Sequence, residues 1–210
     1  ATFNTYAGRV FYNFDRELHI RKLPKYQGIL HIGMDFNVGN MCLCIANVDE
    51  SGMVNIHDEI HMQSSNTEEV CQEIKNRYPG AKIMVYPDPS CKARKSSAGG
   101  KTDLSILQNA GFVVRVRNNH TPVRDRINAV NAKLKNAQDQ IGLTVDYKAK
   151  HVINSLERLV YKEGTNVVDK DTGYDHMADA VGYLVDFLFP ITVNFENTST
   201  GVFKFRGGTY

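Results

Sequence analysis

Three carboxylates stand where a folded chain would expose them to chemistry. Asp35 closes the apolar run Gly33-Met34-Asp35-Phe36-Asn37, and a lone carboxylate in a buried strand is costly unless it is paired or bound to metal. Asp88 is held between prolines in Tyr86-Pro87-Asp88-Pro89-Ser90. Proline restricts the backbone there, and ligand sites in sheets with parallel strands lie just outside such strand ends. Asp179 belongs to Asp175-His176-Met177-Ala178-Asp179-Ala180-Val181-Gly182-Tyr183, where flanking alanines let a helix approach its neighbour closely. Asp175 precedes it by four residues and His176 by three, so all three can share one helical face. Simple structural explanations stand beside these: Asp35 as a cap of the turn at Asn37, Asp88 as a Pro-Asp-Pro turn, Asp175 as a first-turn acid favoured by the helix dipole. Asp179, a turn deeper, has no such explanation.

If the strands carrying Asp35 and Asp88 are parallel neighbours and the last helix packs across them, the three acids converge. Carboxylates held together repel at neutral pH unless a cation neutralises them. Ligation by oxygen alone suits Mg²⁺ or Mn²⁺. Two such ions about 4 Å apart would activate a water and stabilise the leaving 3′ oxygen of a cleaved phosphodiester.

The charge distribution suggests the substrate. Between residues 89 and 126, Lys92, Arg94, Lys95, Lys101, Arg115, Arg117, Arg124 and Arg126 stand against Asp103 and Asp125, a net +6, while the whole chain carries +2 and the remainder therefore −4. Basic residues interspersed with hydroxyls and glycines suit phosphate tracking, and Lys92, Arg94, Lys95, Lys101, Arg124 and Arg126 are the candidate DNA contacts. A solvated loop followed by an ordinary helix face accounts for the same composition. Two other motifs fail. The stretch ending Gly100-Lys101-Thr102 lacks the first glycine of a phosphate-binding P-loop, because Lys95 stands there,. His57 and His61 lie in a strand-like stretch rather than on a helix, which argues against a zinc-protease pair and for surface histidines.

The elements that must position these groups follow from periodicity and turn chemistry. Apolar or alternating runs at 29–35, 41–46 and 53–60, separated by Asn37-Val38-Gly39-Asn40 and Asp49-Glu50-Ser51-Gly52, predict a three-stranded antiparallel meander,. A helix with an acidic first turn is expected over 67–77, then a buried strand over 82–86, parallel to the first because a helix connects them. Residues 91–101 read as a loop, 103–109 as a short helix, 112–116 as a strand, 122–136 as a helix, 142–145 as a strand, and 148–160 and 174–189 as helices,. Residues 1–28 show no clean period and read as an extension or linker, and 190–210 as a tail. The fold class is therefore α/β, a mixed sheet with an antiparallel meander and parallel strands, flanked by helices.

Composition bounds the setting. At 210 residues and 42% hydrophobic the chain can build one sizeable core,. The overall +2 excludes a polycationic nucleic-acid wrapper, and the apolar stretch 183–193 is cut by Asp186 and Pro190, so a membrane span is not expected,. No secretion signal is legible, and Cys42, Cys44, Cys71 and Cys91 lack metal or disulfide spacing and read as free, reduced thiols in the cytoplasm,.

The three acidic motifs, in this order, resemble the nuclease domain of the large subunit of tailed-bacteriophage terminases, the DNA-packaging motor, which has a ribonuclease H-like fold. The resemblance covers residues 29–189 and rests most heavily on the helical segment from Asp175 to Tyr183. It implies that Asp35, Asp88 and Asp179 bind divalent metal and cut concatemeric double-stranded DNA with little sequence preference, His176 and Asp175 serving as auxiliary catalytic and metal-binding groups. It further implies that residues 1–28 come from the connection to an ATPase domain, that the loop after Asp88 faces DNA, and that the tail docks on the portal. The small terminase subunit would be a further partner, and the host cytoplasm the place of action. Resolvases and transposases of the same fold also gather acids on two strands and a helix. A DNA- or portal-binding module with structural acids is the competing reading of another class.

Overall fold

The computed structural model of the chain describes residues 8–37, 39–93 and 101–191. Its elements run α1 (Arg16–His19), β1 (Ile20–Arg21), β2 (Leu30–Asp35), β3 (Asn40–Val48), β4 (Val54–Gln63), α2 (Thr67–Arg77), β5 (Ile83–Pro87), α3 (Asp103–Asn109), β6 (Val113–Val114), α4 (Val123–Leu134), β7 (Leu143–Asp146), α5 (Lys150–Arg158) and α6 (Asp175–Leu188), with a single 3₁₀ turn at Pro89–Lys92. The strands form a seven-stranded sheet in the order β1-β7-β4-β3-β2-β5-β6. The β2-β3-β4 meander is antiparallel, while β5 joins β2, β6 joins β5, and β7 joins β4 and β1, all in parallel. Both the meander and the parallel β2-β5 pair agree with the sequence reading.

Alternation along the central strands separates two cores. Leu30, Ile32 and Met34 of β2 and Met41, Leu43 and Ile45 of β3 pack beneath α2 and α3. Cys42, Cys44 and Ala46 on the opposite face of β3 pack with α4, α5 and α6. The side chains facing α6 are small, and the helix lies correspondingly close to the sheet. Gly33 marks the tightest point: a Cβ there would overlap the Ala180 carbonyl oxygen and stand 2.9 Å from Cys44 Sγ and Leu184 Cβ. Burial pushes the Cys42, Cys44 and Cys91 thiols up to about 12 and Cys71 up to about 11, so all four are neutral space-fillers at ordinary pH.

Local chemistry explains the element ends. Asn66 accepts from the Glu69 N–H at 3.0 Å while Glu69 Oε2 accepts from the Asn66 N–H at 3.1 Å, a reciprocal cap that starts α2 beside its acidic first turn,. Pro190 follows α6 and limits it,.

Ordered structure begins earlier than the first strand expected from the sequence. Val10, Phe11 and Phe14 are buried, Val10 N–H donates to the Leu159 carbonyl at 2.9 Å, and β1 adds to the edge of the sheet beside β7. These apolar residues join the core cluster of α4, α5 and α6 from irregular backbone, so no period of 2 or 3.6 announced them,. The strand expected at 112–116 pairs only at Val113 and Val114. Among the described residues, no helix is long and apolar enough to cross a membrane.

Candidate active site at the ends of β2 and β5

The parallel pairing of β2 with β5 sets Met34 opposite Pro87, so Asp35 and Asp88 leave the sheet side by side. The Asp88 N–H donates to the Met34 carbonyl at 3.0 Å and extends the ladder by one bond. Gly33 then admits α6 directly over β2, which brings His176 and Asp179 to the same end. Asp35, Asp88, Asp175, His176 and Asp179 all line one cleft of about 540 Å³. The structure thus places the three acids singled out from the sequence along one cleft, with Asp175 and His176 beside them.

Each of the three principal acids has its own donor. His176 Nδ1 lies 3.0 Å from Asp35 Oδ2, and the Asn37 amide nitrogen lies 3.0 Å from His176 Nε2. One ring nitrogen therefore donates to the carboxylate while the other accepts from Asn37. Arg126 Nη2 donates to Asp179 Oδ1 at 2.7 Å. The Ser90 N–H donates to Asp88 Oδ1 at 2.6 Å, and the Tyr183 hydroxyl donates to Asp88 Oδ2.

The electrostatics report the crowding. Burial pushes the Asp35 carboxyl above the usual carboxylate range; the bond from His176 opposes this, and the neighbouring charges of Asp179 and Asp88 add to it,. His176 is raised by its bond to Asp35, against the effect of burial, with Asp175 contributing further. Asp175 is 4% exposed, and its Oδ1 is buried with no hydrogen-bond partner among the described residues. Among the described residues, Lys170 Nζ stands 3.9 Å from its Oδ2 and the His176 ring nitrogen Nε2 4.0 Å from its Oδ1.

This donor set has the chemistry of a hard-cation site: clustered carboxylate oxygens, an orphaned buried oxygen on Asp175 among the described residues, and a carboxyl at Asp35 raised first by burial and further by the neighbouring acids,. The fit is one of donor type. Among the described residues, no three His, Cys, Asp or Glu side chains already close around a single point.

The basic candidates divide. Arg94 and Lys95 lie outside the described residues. Lys101 and Arg124 are exposed, and Lys92 is exposed with its ammonium on the Arg117 carbonyl and Asn118 Oδ1 at 2.9 and 3.2 Å. Arg126, a candidate DNA contact from the sequence, is buried instead of open to solvent: it is 5% exposed, ion-paired to Asp179, with its guanidinium carbon 4.5 Å from the Tyr183 ring centroid. It faces inward because α4 packs on α6 along this edge. Arg117 is likewise committed, bound to the buried Asp186 at 2.9 Å. His57 and His61 are half-buried rather than on the open surface, and His61 packs 4.6 Å from the His151 ring.

Several cleft residues had escaped the sequence reading. His120, 3.6 Å from Asp88 Oδ1, and Lys170 come from irregular loops that carry no periodic signal. Asn37 was read only as turn chemistry. Tyr183, four residues after Asp179 and seven after His176, was visible as helical spacing, but its partner on another element was not.

No protein-family model matches the sequence, and none of the curated proteins does. Solved structures do match. The large terminase of a thermophilic bacteriophage, solved with ATP-gamma-S, aligns with a TM-score of 0.67 and 17% identity over 86% of this chain and 45% of its own. The nuclease domain of the phage P22 large terminase aligns with a TM-score of 0.63 and 13% identity, over 85% of this chain and 92% of that one. The chain has the fold of a phage terminase nuclease domain. A third structure, the large terminase nuclease of the thermophilic phage G20c with bound magnesium, aligns with a TM-score of 0.60 and 12% identity, over 86% of this chain and 97% of its own. The sheet order and flanking helices are the ribonuclease H-like architecture of this terminase-nuclease fold, and the chain spans less than half the length of the full-length large terminase it matches.

Proposed function

We propose that the chain is the nuclease part of a viral genome-packaging terminase, a divalent-metal-dependent endodeoxyribonuclease that cuts concatemeric double-stranded DNA with little sequence preference. The observation that carries this reading is the convergence of Asp35, Asp88 and Asp179 in one cleft at the ends of two parallel strands beneath one helix. A non-catalytic binding surface would gain nothing from burying a repelling carboxylate such as Asp35 among other acids.

Asp35, Asp88 and Asp179, assisted by Asp175 and His176, are the groups that would hold Mg²⁺ or Mn²⁺, two ions in this reading. A metal held by these groups would supply activation of a water and charge stabilisation for the leaving 3′ oxygen. The protein's own share is orientation. His176 fixes the Asp35 carboxylate, Tyr183 and Ser90 fix Asp88, and Arg126 fixes Asp179. Lys92, Lys101 and Arg124, with Arg94 and Lys95, would track the DNA backbone beside the cleft, a role of position rather than base readout. In this reading residues 29–189 form the nuclease proper, residues 1–28 lead in from an ATPase domain and pack onto it through Val10, Phe11, Phe14 and β1, and 190–210 would be a tail toward the portal. The small terminase subunit is a further partner, and the host cytoplasm the site of packaging.

The test is incubation of supercoiled plasmid with the chain and Mg²⁺ or Mn²⁺. Wild type should nick and linearise the plasmid, chelator should stop it, and Asp35→Asn, Asp88→Asn and Asp179→Asn should each abolish it. Equal cleavage by wild type and all three variants would overturn the proposal.

A further inference from the structure

Two of the three acids are joined to each other through side chains that no ligand role claims. The Tyr183 hydroxyl bonds Asp88, and the Arg126 guanidinium covers the same Tyr183 ring at 4.5 Å from its centroid while its Nη2 donates to Asp179 at 2.7 Å. Backbone anchors close both ends: the Ser90 N–H to Asp88 Oδ1 at 2.6 Å, and Arg126 Nη1 to the Thr121 carbonyl at 2.9 Å. We infer that Tyr183 is a positioning residue for the carboxylate centre, holding Asp88 through its hydroxyl and Asp179 through the arginine stacked on its ring. The inference deepens the reading above and rests on it.

Asp88 follows the last residue of β5, where the ladder no longer holds the backbone on both sides. The Ser90 N–H engages one of its oxygens, and the phenol fixes the plane of the carboxylate by engaging the other. A phenol is protonated at ordinary pH, so Tyr183 meets Asp88 as a neutral donor,. A neutral donor orients a carboxylate without cancelling its charge, leaving lone pairs for a cation. Asp179 is met by a charged donor instead. Its donor is a full cation, buried with Nε lacking a hydrogen-bond partner among the described residues, and the electron-rich ring face of Tyr183 supplies part of the hold,. Asp179 and Tyr183 are four residues apart on α6, on one face. The same turn carries Gly182, where a Cβ would already stand 3.6 Å from Arg126 Cβ and Nε, so the arginine lies directly along the helix.

The test separates the hydroxyl from the ring. Tyr183→Phe keeps the stack and removes only the bond to Asp88; Arg126→Lys keeps a charge and loses the stacked fork. Mn²⁺ binding is measured by calorimetry for wild type, both variants and Asp88→Asn, each checked by thermal melting in chelator, with plasmid nicking recorded across a Mn²⁺ series. Tyr183→Phe should melt with wild type and bind Mn²⁺ about 10–100-fold more weakly, the loss typical when a partner of a metal ligand is removed. The Mn²⁺ concentration for half-maximal nicking should rise by the same factor while the plateau rate returns toward wild type, and Arg126→Lys should shift in the same direction. Unchanged Mn²⁺ affinity in both variants, with wild type binding and Asp88→Asn weakened, would overturn the positioning role and leave the nuclease reading intact. A wild-type chain that binds no Mn²⁺ would overturn both.

Discussion

Gly33 of β2 lies directly against the Ala180 carbonyl of α6, with no room between them for a methyl group. Asp35 is two residues along that strand and Asp179 is the residue before Ala180, so this contact sets the distance between a strand acid and a helix acid. Gly33→Ala must lift the helix from the sheet. We expect a loss of about 3 kcal/mol, the upper end of ordinary overpacking because backbone rather than a flexible side chain is struck, measured by urea denaturation, together with loss of cleavage even though every acid is retained.

Asp35→Asn should trade activity for stability. The wild-type carboxyl has a folded pKa above its unfolded value, so the folded state favours its protonated form. Wild-type stability from this group is therefore greatest at low pH, falls as pH rises from the unfolded pKa to the folded one, and stays lower above it. In chelator at neutral pH the asparagine variant should melt higher than wild type, and the gap should close as pH drops below the unfolded value. A gap that widens on acidification would contradict the assigned direction.

The Arg126–Asp179 pair should couple more strongly than an exposed pair. Arg126 is 7% and Asp179 25% exposed at the side chain, against 53% and 28% for Arg16 and Glu157. A double-mutant cycle on the inner pair should return about 1–3 kcal/mol, and the same cycle on Arg16 and Glu157 under about 1 kcal/mol, because solvent screens it.

DNA binding should lose salt dependence residue by residue at the exposed cations. Lys101→Ala and Arg124→Ala should each weaken binding at low salt and reduce the slope of log affinity against log salt by about 0.9. Fluorescence anisotropy on a DNA duplex across a salt series measures this, and an unchanged slope in both variants would remove these residues from the DNA interface.

The four thiols should resist modification while the chain is folded. All are buried and pushed up to about 11 or 12, and the thiolate is the reactive form. A chromogenic disulfide reagent should titrate none rapidly in native buffer and all four in urea.

Much of the frame was legible from neighbouring residues alone. The turns at Asn37-Val38-Gly39-Asn40 and Asp49-Glu50-Ser51-Gly52 announced the meander, and the acidic first turn of α2 announced that helix. The segment containing Val10, Phe11 and Phe14 was not legible. Its apolar residues follow no period, and they are buried by joining a core cluster with distant elements, α4 and α5 among them. Arg126 was misplaced for a related reason. Its charge suggested solvent or phosphate, yet an arginine can be buried wherever a carboxylate and an aromatic face meet it, and both come from α6, more than fifty positions away.

The chain's local order was enough to identify Asp35, Asp88 and Asp179 as unusual, because each sits where a carboxylate is expensive or conformationally restricted within a few residues of itself. Which donor meets each carboxylate is a matter of contacts across the fold: His176 on Asp35, Tyr183 on Asp88, Arg126 on Asp179. Those pairings depend on the approach of α6 to β2 over Gly33 and of α4 to α6. Helix approach is settled by packing summed over many distant residues, and the spacing within any one segment does not contain it.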